Sequence, residues 1–564
     1  MKIFRPLKKA GIIKKYAVVD TETWGLGGKM AFGVVYISDK SWYKFKTCEQ
    51  FYSIVKREKI KLIYAHNLDF DYVKITNTSS LVDTSSVIYA GGLLITLTDK
   101  TGLQWRDSLA LLKSTVDNLG KALGLKKGVT PEKFCNPPKD LNYRTVNEKD
   151  IKYCVRDCKI VKIMLERLFT LTECQKMTIA STCMFYFRRK YLKENIYIHD
   201  SHKLFQNSYY GGRVEAFKLG KTKAKVIDVN SMYPSVMKGL KIPHPNHIKQ
   251  VYPDLNTGKL LINQFEGVAH VTVKHPYQKI GMLPVRHDGK LIFPTGIFTG
   301  WYNFNELRFF MQNKGIIKEI KEFHYATKNL EGFFDDYVTD NYKLKNESEG
   351  AEKLLYKFIL NTLYGKFGER NHSKRIYFKK GEFESKIEPE IKNRPFKLVE
   401  LKRGFSYCEI SGELDKEPLH TCFNICSYIT SASRLVLLKA LMENKNKVVY
   451  CDTDSMAIEG KYKGQIGSKL GQWSYEDYEV IKVYGNKFYR TNKGLKLKGV
   501  PKRAEIKGKK FYFEALIKSK ESMRSNHKVG TTIIKSKSIS LNYDKRTQNK
   551  NNRGSKAIIF KGQN

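Results

Sequence analysis

Cysteine is sparse and scattered in this chain of 564 residues. Its ten cysteines form no CxxC pair and no Cys/His cluster at zinc spacing. That excludes a zinc-finger core and a disulfide scaffold. The thiols read as reduced, in a reducing compartment. No run of 18 apolar residues occurs, so no membrane span is expected. The opening stretch MKIFRPLKKAGIIKKYAVVD is basic but lacks an apolar signal core. A soluble cytoplasmic protein is expected. No internal repeat is found.

Acid is the scarce charge. Asp plus Glu number 56 against 101 Lys plus Arg, a formal net charge of +45. Such a surface attracts polyanions, nucleic acid being the commonest. A Lys-favouring, AT-rich genome accounts for part of the same excess. From 482 to 564 the chain holds 23 Lys/Arg against 4 Asp/Glu. Within it, NYDKRTQNKNNRGSK has the composition of a poorly ordered segment.

The length allows several cores. The first 170 residues alternate strands (KKYAVVDTE, KLIYAHN, GGLLITLTD) with helices, which suggests an α/β domain. NEKDIKYCVRDCKIVKIMLERLF reads as a helix opened by a capping box from Thr145 to Glu148. Residues 173–195 read as helical. KAKVIDVNSMYPSVM is a strand running into a helix start, GVAHVTVKH a strand, and AEKLLYKFILNTLYGKF a long helix. Residues 372–415 read as a charged, irregular insertion. A helix near 424–443 precedes the strand VVYCDTDSMAI.

The scarce acids fall in pairs. Asp452 and Asp454 stand two apart at the end of an apolar run, as do Asp20 and Glu22 in VVDTETWG. That spacing puts two side chains on one face of a strand. In a basic protein, such a pair can hold a hard divalent cation where phosphate must react. Turns use Asp just as readily, so each pair alone is weak. Asp228 ends another apolar strand. Asn67, Phe70 and Asp71 cluster in YAHNLDFDYV, and Tyr153 and Asp157 stand at i, i+4 in YCVRDC. Lys353, Lys357, Asn361 and Tyr364 share one helix face, a cationic stripe beside an aromatic.

The joint order of these motifs resembles the family B DNA polymerases. DTE, NLDFD and YCVRD stand where that family has three exonuclease motifs, and DVNSMYPS, KFILNTLYG and YCDTDS where it has three polymerase motifs. SYYGGR, residues 208–213, is similar to the Tyr-x-Gly-Gly linker of the protein-primed members from small linear-genome phages, viruses and linear plasmids. The resemblance implies an α/β and α+β multidomain protein. An RNase H-like 3′–5′ exonuclease domain would span 1–172. A right-hand polymerase would follow: palm at 173–240 and 416–513, fingers at 333–371 and thumb at 514–564. Insertions at 241–332 and 372–415 would form the terminal-protein region.

The resemblance also implies roles. Asp228 and Asp454, with the Val229 carbonyl, would hold metal at the polymerase site, Asp452 being a less direct neighbour. Tyr233, Lys345, Lys357, Asn361 and Tyr364 would contact the dNTP, Tyr233 crowding a 2′-hydroxyl. Lys487 and Tyr489 would hold the primer end, and Tyr209, Gly211 and Gly212 would contact DNA. Asp20, Glu22, Asp71 and Asp157 would be the exonuclease acids, with Tyr153 orienting water. Thr23, Asn67, Phe70, Ser108 and Leu109 would meet single-stranded DNA, where stacking tolerates any base. Lys139 and Tyr143, in PPKDLNY, resemble a lysine and tyrosine of the phage exonuclease domain.

Two Mg²⁺ per site, or Mn²⁺, are implied as cofactors. The implied partners are template and primer DNA, dNTPs, a separate terminal protein and a single-stranded-DNA-binding protein, with the chain a monomer or a heterodimer with the terminal protein. A viral origin would place it in the host cytoplasm. The implied activity is template-directed synthesis with proofreading and strand displacement. The competing expectations are ordinary nucleic-acid priming, a nuclease without synthesis, and a non-catalytic binding protein on a decayed scaffold.

Overall fold

The computed structural model describes residues 1–76, 84–90, 92–370, 374–391, 394–402, 404–410, 417–501, 504–508, 510–538, 545–549 and 554–561. Its N-terminal part is built on a seven-stranded mixed sheet. The spatial order is Ser41–Phe45, Met30–Ser38, Ala17–Thr23, Leu62–Ala65, Gln104–Asp107, Leu93–Asp99, Thr84–Ala90. Ala17–Thr23 lies inside it, antiparallel to Met30–Ser38 and parallel to Leu62–Ala65. Its apolar start, Ala17-Val18-Val19, is buried, while Asp20 and Glu22 stay half-exposed at its far end. The apolar run thus fixes the strand in the core and delivers the acids to its rim.

The helix Glu148–Thr172 packs across this strand, burying Tyr153, Cys154, Asp157, Cys158 and Val161 at helical spacing. Its capping box is not Thr145–Glu148. Asn147 caps Asp150 N–H and the Asp150 carboxylate answers to Asn147 N–H. The amide side chain reaches the same donors as a hydroxyl, and Asn147 lies where the backbone turns from extended to helical. Within 173–195, helix runs only from Ile179 to Lys190, capped by Thr178.

The second large sheet has seven strands, in the order Val214–Ala216, Val448–Asp452, Ser455–Glu459, Gly220–Val229, Trp473–Gly485, Phe488–Thr491, Gly494–Leu497. Behind it lies the helix Phe423–Glu443. It is long and apolar enough to cross a membrane, yet most of it is buried. Its Arg434 is ion-paired with Glu306 at 2.9 Å and donates to Tyr210 O at 2.6 Å. Two helices, Asp335–Glu347 and Gly350–Lys366, pack together opposite the edge of this sheet that carries Asp228 and Asp452.

Within 372–415, the described residues are more regular than the composition suggests. Lys374–Lys379, Phe405–Ile410 and Phe396–Glu400 form an antiparallel sheet with Phe405–Ile410 in the centre. Tyr407, Cys408 and Ile410 are buried. Short apolar stretches between charged residues suffice when the partner strands supply the remaining cover.

The most distant joins involve the C-terminal segment. Ile559–Lys561 adds a parallel edge strand beside Thr295–Asn303 in a five-stranded sheet. Arg546 is locked in a buried triad. Glu215 pairs with Arg213 at 2.5 Å and with Arg546 at 3.4 Å, and all three are at most 2% exposed. Glu215→Ala would leave two guanidinium groups buried without their anion. It is expected to cost ~3–5 kcal/mol of stability, read by urea denaturation. A loss below ~1 kcal/mol would show that water relieves the site.

Candidate active sites

The first site forms where two strands of the second sheet end together. Asp228 stands opposite Ser455, and Val229 N–H donates to Asp454 O at 3.0 Å. Asp452 and Asp454 flank the turn of a tight hairpin, whose left-handed residue is Thr453 at φ 62°. Thr453 N–H donates to Arg213 O at 2.7 Å. A Cβ on Gly212 would fall 2.7 Å from the Thr453 side chain, so only glycine lets the linker lie against the hairpin. Gly211 has open space where its Cβ would be.

Asp228 and Asp454 crowd one another. Burial pushes the Asp228 carboxyl up to about 7, Asp454 and Glu476 add to the shift, and Lys357 opposes it. Asp454 is raised as well, by burial first and then by Asp452. Asp452 differs, because both its oxygens accept from Lys487 Nζ at 2.8 Å. Tyr450 OH donates to Asp452 at 3.2 Å and accepts Lys487 N–H at 3.1 Å. Tyr489 packs on Tyr450 at 5.2 Å. The structure therefore brings NKFYR against the hairpin and leaves Asp228 and Asp454 as the pair short of positive charge.

Lysines from the two opposing helices face this pair. Lys345 Nζ donates to Ser231 Oγ at 3.3 Å. Its pKa is lowered by burial and then by the nearby Lys357 and Lys353. Tyr233 and Tyr364 stack at 4.1 Å and 19°. Asn361 is exposed and donates to Lys357 O at 2.9 Å. A Cβ on Gly368 would touch the Tyr209 ring at 2.7 Å, so this ring lies at the base of the helix pair.

The second site gathers Asp20 and Glu22 from the strand rim, Asp71 from the helix Leu68–Thr76 and Asp157 from the long helix. Ligand atoms of Asp20, Glu22 and Cys154 lie within 4.8 Å of one another. Burial pushes Asp20 up to about 7, with Asp157 adding to the shift, and Glu22 up to about 9, with Asp20 and Asp157 adding. Asp71 is raised well above the usual range by burial and by Asp20, although it accepts from Thr21 Oγ1 at 2.8 Å. Asp157 Oδ1 is buried with no hydrogen-bond partner. An orphaned buried oxygen among crowded carboxylates fits a hard divalent cation.

Lys127 is the residue the motifs miss. Its ammonium pairs with Asp157 at 2.7 Å and lies 5.3 Å from the Tyr153 ring centre. Tyr153 OH is bonded to Thr130 Oγ1 at 2.8 Å. Lys139 and Tyr143 do not join the site. Both are exposed, and among the described residues neither makes a hydrogen bond or ion pair with the four acids. The intervening loop turns outward, so the lysine twelve positions earlier reaches the cluster. On the proofreading role proposed below, Lys127→Ala is expected to lower 3′–5′ hydrolysis about 10²-fold while primer extension persists. Equal loss of both activities would point to misfolding instead.

The remaining expected strand contacts divide. Phe70 and Leu109 are half-exposed. Thr23 is buried and donates to Gly25 O at 2.7 Å. Ser108 corrects the expectation. It is fully buried, donates to Ala65 O at 3.0 Å and bonds His66 at 2.9 Å. Its hydroxyl fixes the loop and does not face a strand.

An N-terminal exonuclease-type domain joined to palm, fingers and thumb is the class this fold defines. Phi29 DNA polymerase complexed with primer-template DNA and incoming nucleotides aligns over 94% of this chain and 100% of its own, with TM-score 0.70 and 18% identity, a likeness of fold. Residues 136–404 match the model of DNA polymerase type B, organellar and viral. Among curated relatives, a "Probable DNA polymerase" of Podospora anserina is 27% identical over 78% of this chain and 44% of its own. The DNA-directed DNA polymerase of Enterobacteria phage PRD1 is 27% identical over 51% and 50%, and the DNA polymerase of Streptococcus phage Cp-1 24% over 75% and 75%. The chain thus spans under half the length of the fungal relative. Together these comparisons bear out the resemblance to family B DNA polymerases of the organellar and viral type.

Proposed function

We propose that this chain extends DNA from dNTPs on a template and trims mispaired 3′ ends. The observation that carries the reading is the meeting of Asp228 and Asp454 opposite Lys357 and Lys345. Carboxylates crowded against one another beside ammonium groups that have no carboxylate partner among the described residues suit a site that handles triphosphate. Asp228 and Asp454 would hold divalent metal at one centre, and Asp20, Glu22, Asp71 and Asp157 at the other. When bound, such cations, Mg²⁺ or Mn²⁺, neutralise developing charge and make a bound oxygen a better nucleophile.

The chain's own groups do the positioning. Lys357 and Lys345 bind the triphosphate and orient it for in-line displacement. The Tyr233–Tyr364 stack makes a flat floor under the sugar and base, closed to a 2′-hydroxyl. Lys487, held by Asp452, steadies the primer end. At the second centre Tyr153 and Lys127 orient water and hold charge beside Asp157.

Protein priming by a separate terminal protein is supported by the SYYGGR linker and by the five-stranded sheet set between palm and fingers. A linear viral or plasmid genome is the corresponding template. The three-stranded sheet within 374–410 touches both the exonuclease domain and Met523 of the thumb region. These contacts support a role in strand displacement. Deleting 375–410 is expected to shorten products on a nicked circle, and unchanged length would remove this role.

One gel tests the main reading: a 5′-labelled primer on a longer template with Mg²⁺, with and without dNTPs. Extension with dNTPs and shortening without them are expected. A primer intact in both lanes, although bound, would overturn the reading in favour of a binding protein on an inactive scaffold.

A further inference from the structure

The second exonuclease motif carries a residue that its chemistry leaves idle. Asp69 stands between Asn67 and Asp71, is only 3% exposed, and points away from the acid cluster. Its Oδ1 accepts from Ser519 Oγ at 2.8 Å and Ser519 N–H at 3.3 Å. Beside it, Lys518 Nζ donates to Asn67 Oδ1 at 3.1 Å. A third contact lies a turn further along the same helix, where Lys74 Nζ donates to Gly28 O at 2.8 Å and Gly530 O at 2.9 Å. Residues 517–531 connect the paired strands Lys510–Leu516 and Thr532–Ser538. This connection therefore sits across the helix that presents Asn67 and Phe70.

We propose that Lys518 and Asp69 form a clasp between thumb and exonuclease domain that admits single-stranded DNA to the second site. Asp69 is the positioning half. Buried and doubly bonded, it fixes Ser519 and with it the direction of Lys518. Lys518 is the binding half. Its only hydrogen-bond acceptor among the described residues is the neutral Asn67 amide oxygen; the Asp69 and Asp107 carboxylates feel its charge without bonding to it. A strand phosphate is a stronger acceptor. On arrival of a 3′ end, Lys518 exchanges Asn67 for phosphate, and the freed Asn67 amide can meet the strand. This rests on the proofreading role proposed above and names the contact that would deliver DNA to it.

The test is fluorescence anisotropy of a labelled oligothymidylate in EDTA, with the full chain, across a salt series. Lys518→Ala is expected to weaken binding about tenfold and to reduce the slope of log K against log[salt] by about 0.7. Lys518→Arg should restore both. Asp69→Leu, which can accept neither Ser519 hydrogen bond, should weaken binding with the slope nearly unchanged, since it moves the cation without removing it. In Mg²⁺, Lys518→Ala should raise KM for single-strand hydrolysis with kcat held within about twofold. Wild-type affinity and slope in Lys518→Ala would overturn the clasp. So would weakened binding with an unchanged slope and no rescue by arginine, since that is the signature of a structural role. If the wild-type chain binds the oligonucleotide but never hydrolyses it, the proofreading role fails while the binding arm still decides the clasp.

Discussion

Asp454→Asn is expected to lower primer extension by at least ~10³-fold with 3′–5′ hydrolysis intact. The substitution preserves shape and removes one of the two charges that crowd each other at the hairpin. Asp228 then faces the lysine pair alone, and a divalent cation loses a first-choice oxygen. The relief should be visible without substrate. Asp228 is held up by burial and by Asp454, so its titration in the metal-free variant should move down toward the ordinary carboxylate range. Asp452→Asn should behave differently. It releases Lys487 from two 2.8 Å contacts, so the loss should fall more on primer affinity than on turnover. Primer titration under single-turnover conditions separates the two. Similar losses in turnover for both variants would mean that Asp452 also serves the cation.

Asp20→Ala combined with Glu22→Ala is expected to abolish 3′–5′ hydrolysis, by ~10³-fold or more, while extension of a paired primer remains. Asp20 and Glu22 stand on the first sheet and Asp228 and Asp454 at the edge of the second, so the two losses should be independent. The same change should raise the thermal midpoint by a few degrees in EDTA. Burial is the largest influence on both Asp20 and Glu22. Removing desolvated carboxylates that lack their cation relieves the folded state. A lower midpoint would show that the pair contributes packing that outweighs its repulsion.

These two sites were legible in the sequence because their acids are carried by short contiguous motifs. A strand ending in Asp-x-Glu, or a hairpin Asp-Thr-Asp, encodes both the residue and its direction. The fold was legible for the same reason wherever an apolar run met a motif, as at Val226–Asp228 or Val448–Asp452. Lys127 was not, since GLKKGVT has no local signature and its approach to Asp157 depends on how a loop returns. Ser108 misled because one short turn decides whether a hydroxyl faces inward or outward. Residues 372–415 misled because charge dominates their composition, while a handful of apolar residues forms the strands. The Lys518–Asn67 contact joins positions 451 apart, beyond the reach of any local pattern.

The buried triad sets a timetable for biosynthesis. Arg546 follows Glu215 by 331 residues, so at ordinary elongation rates it leaves the ribosome ~15–70 s later. During that interval the nascent palm carries Arg213 and Glu215 without their third member, and the sheet ending at Thr295–Asn303 has a bare edge. One face of the first sheet packs into a core drawn only from residues 17–105 and can be finished by then, whereas the other face shares its core with residues as far as Ile429. Maturation should therefore be sequential, with the 17–105 core protease-resistant first and the palm sheet acquiring resistance only after the segment carrying Arg546 has emerged.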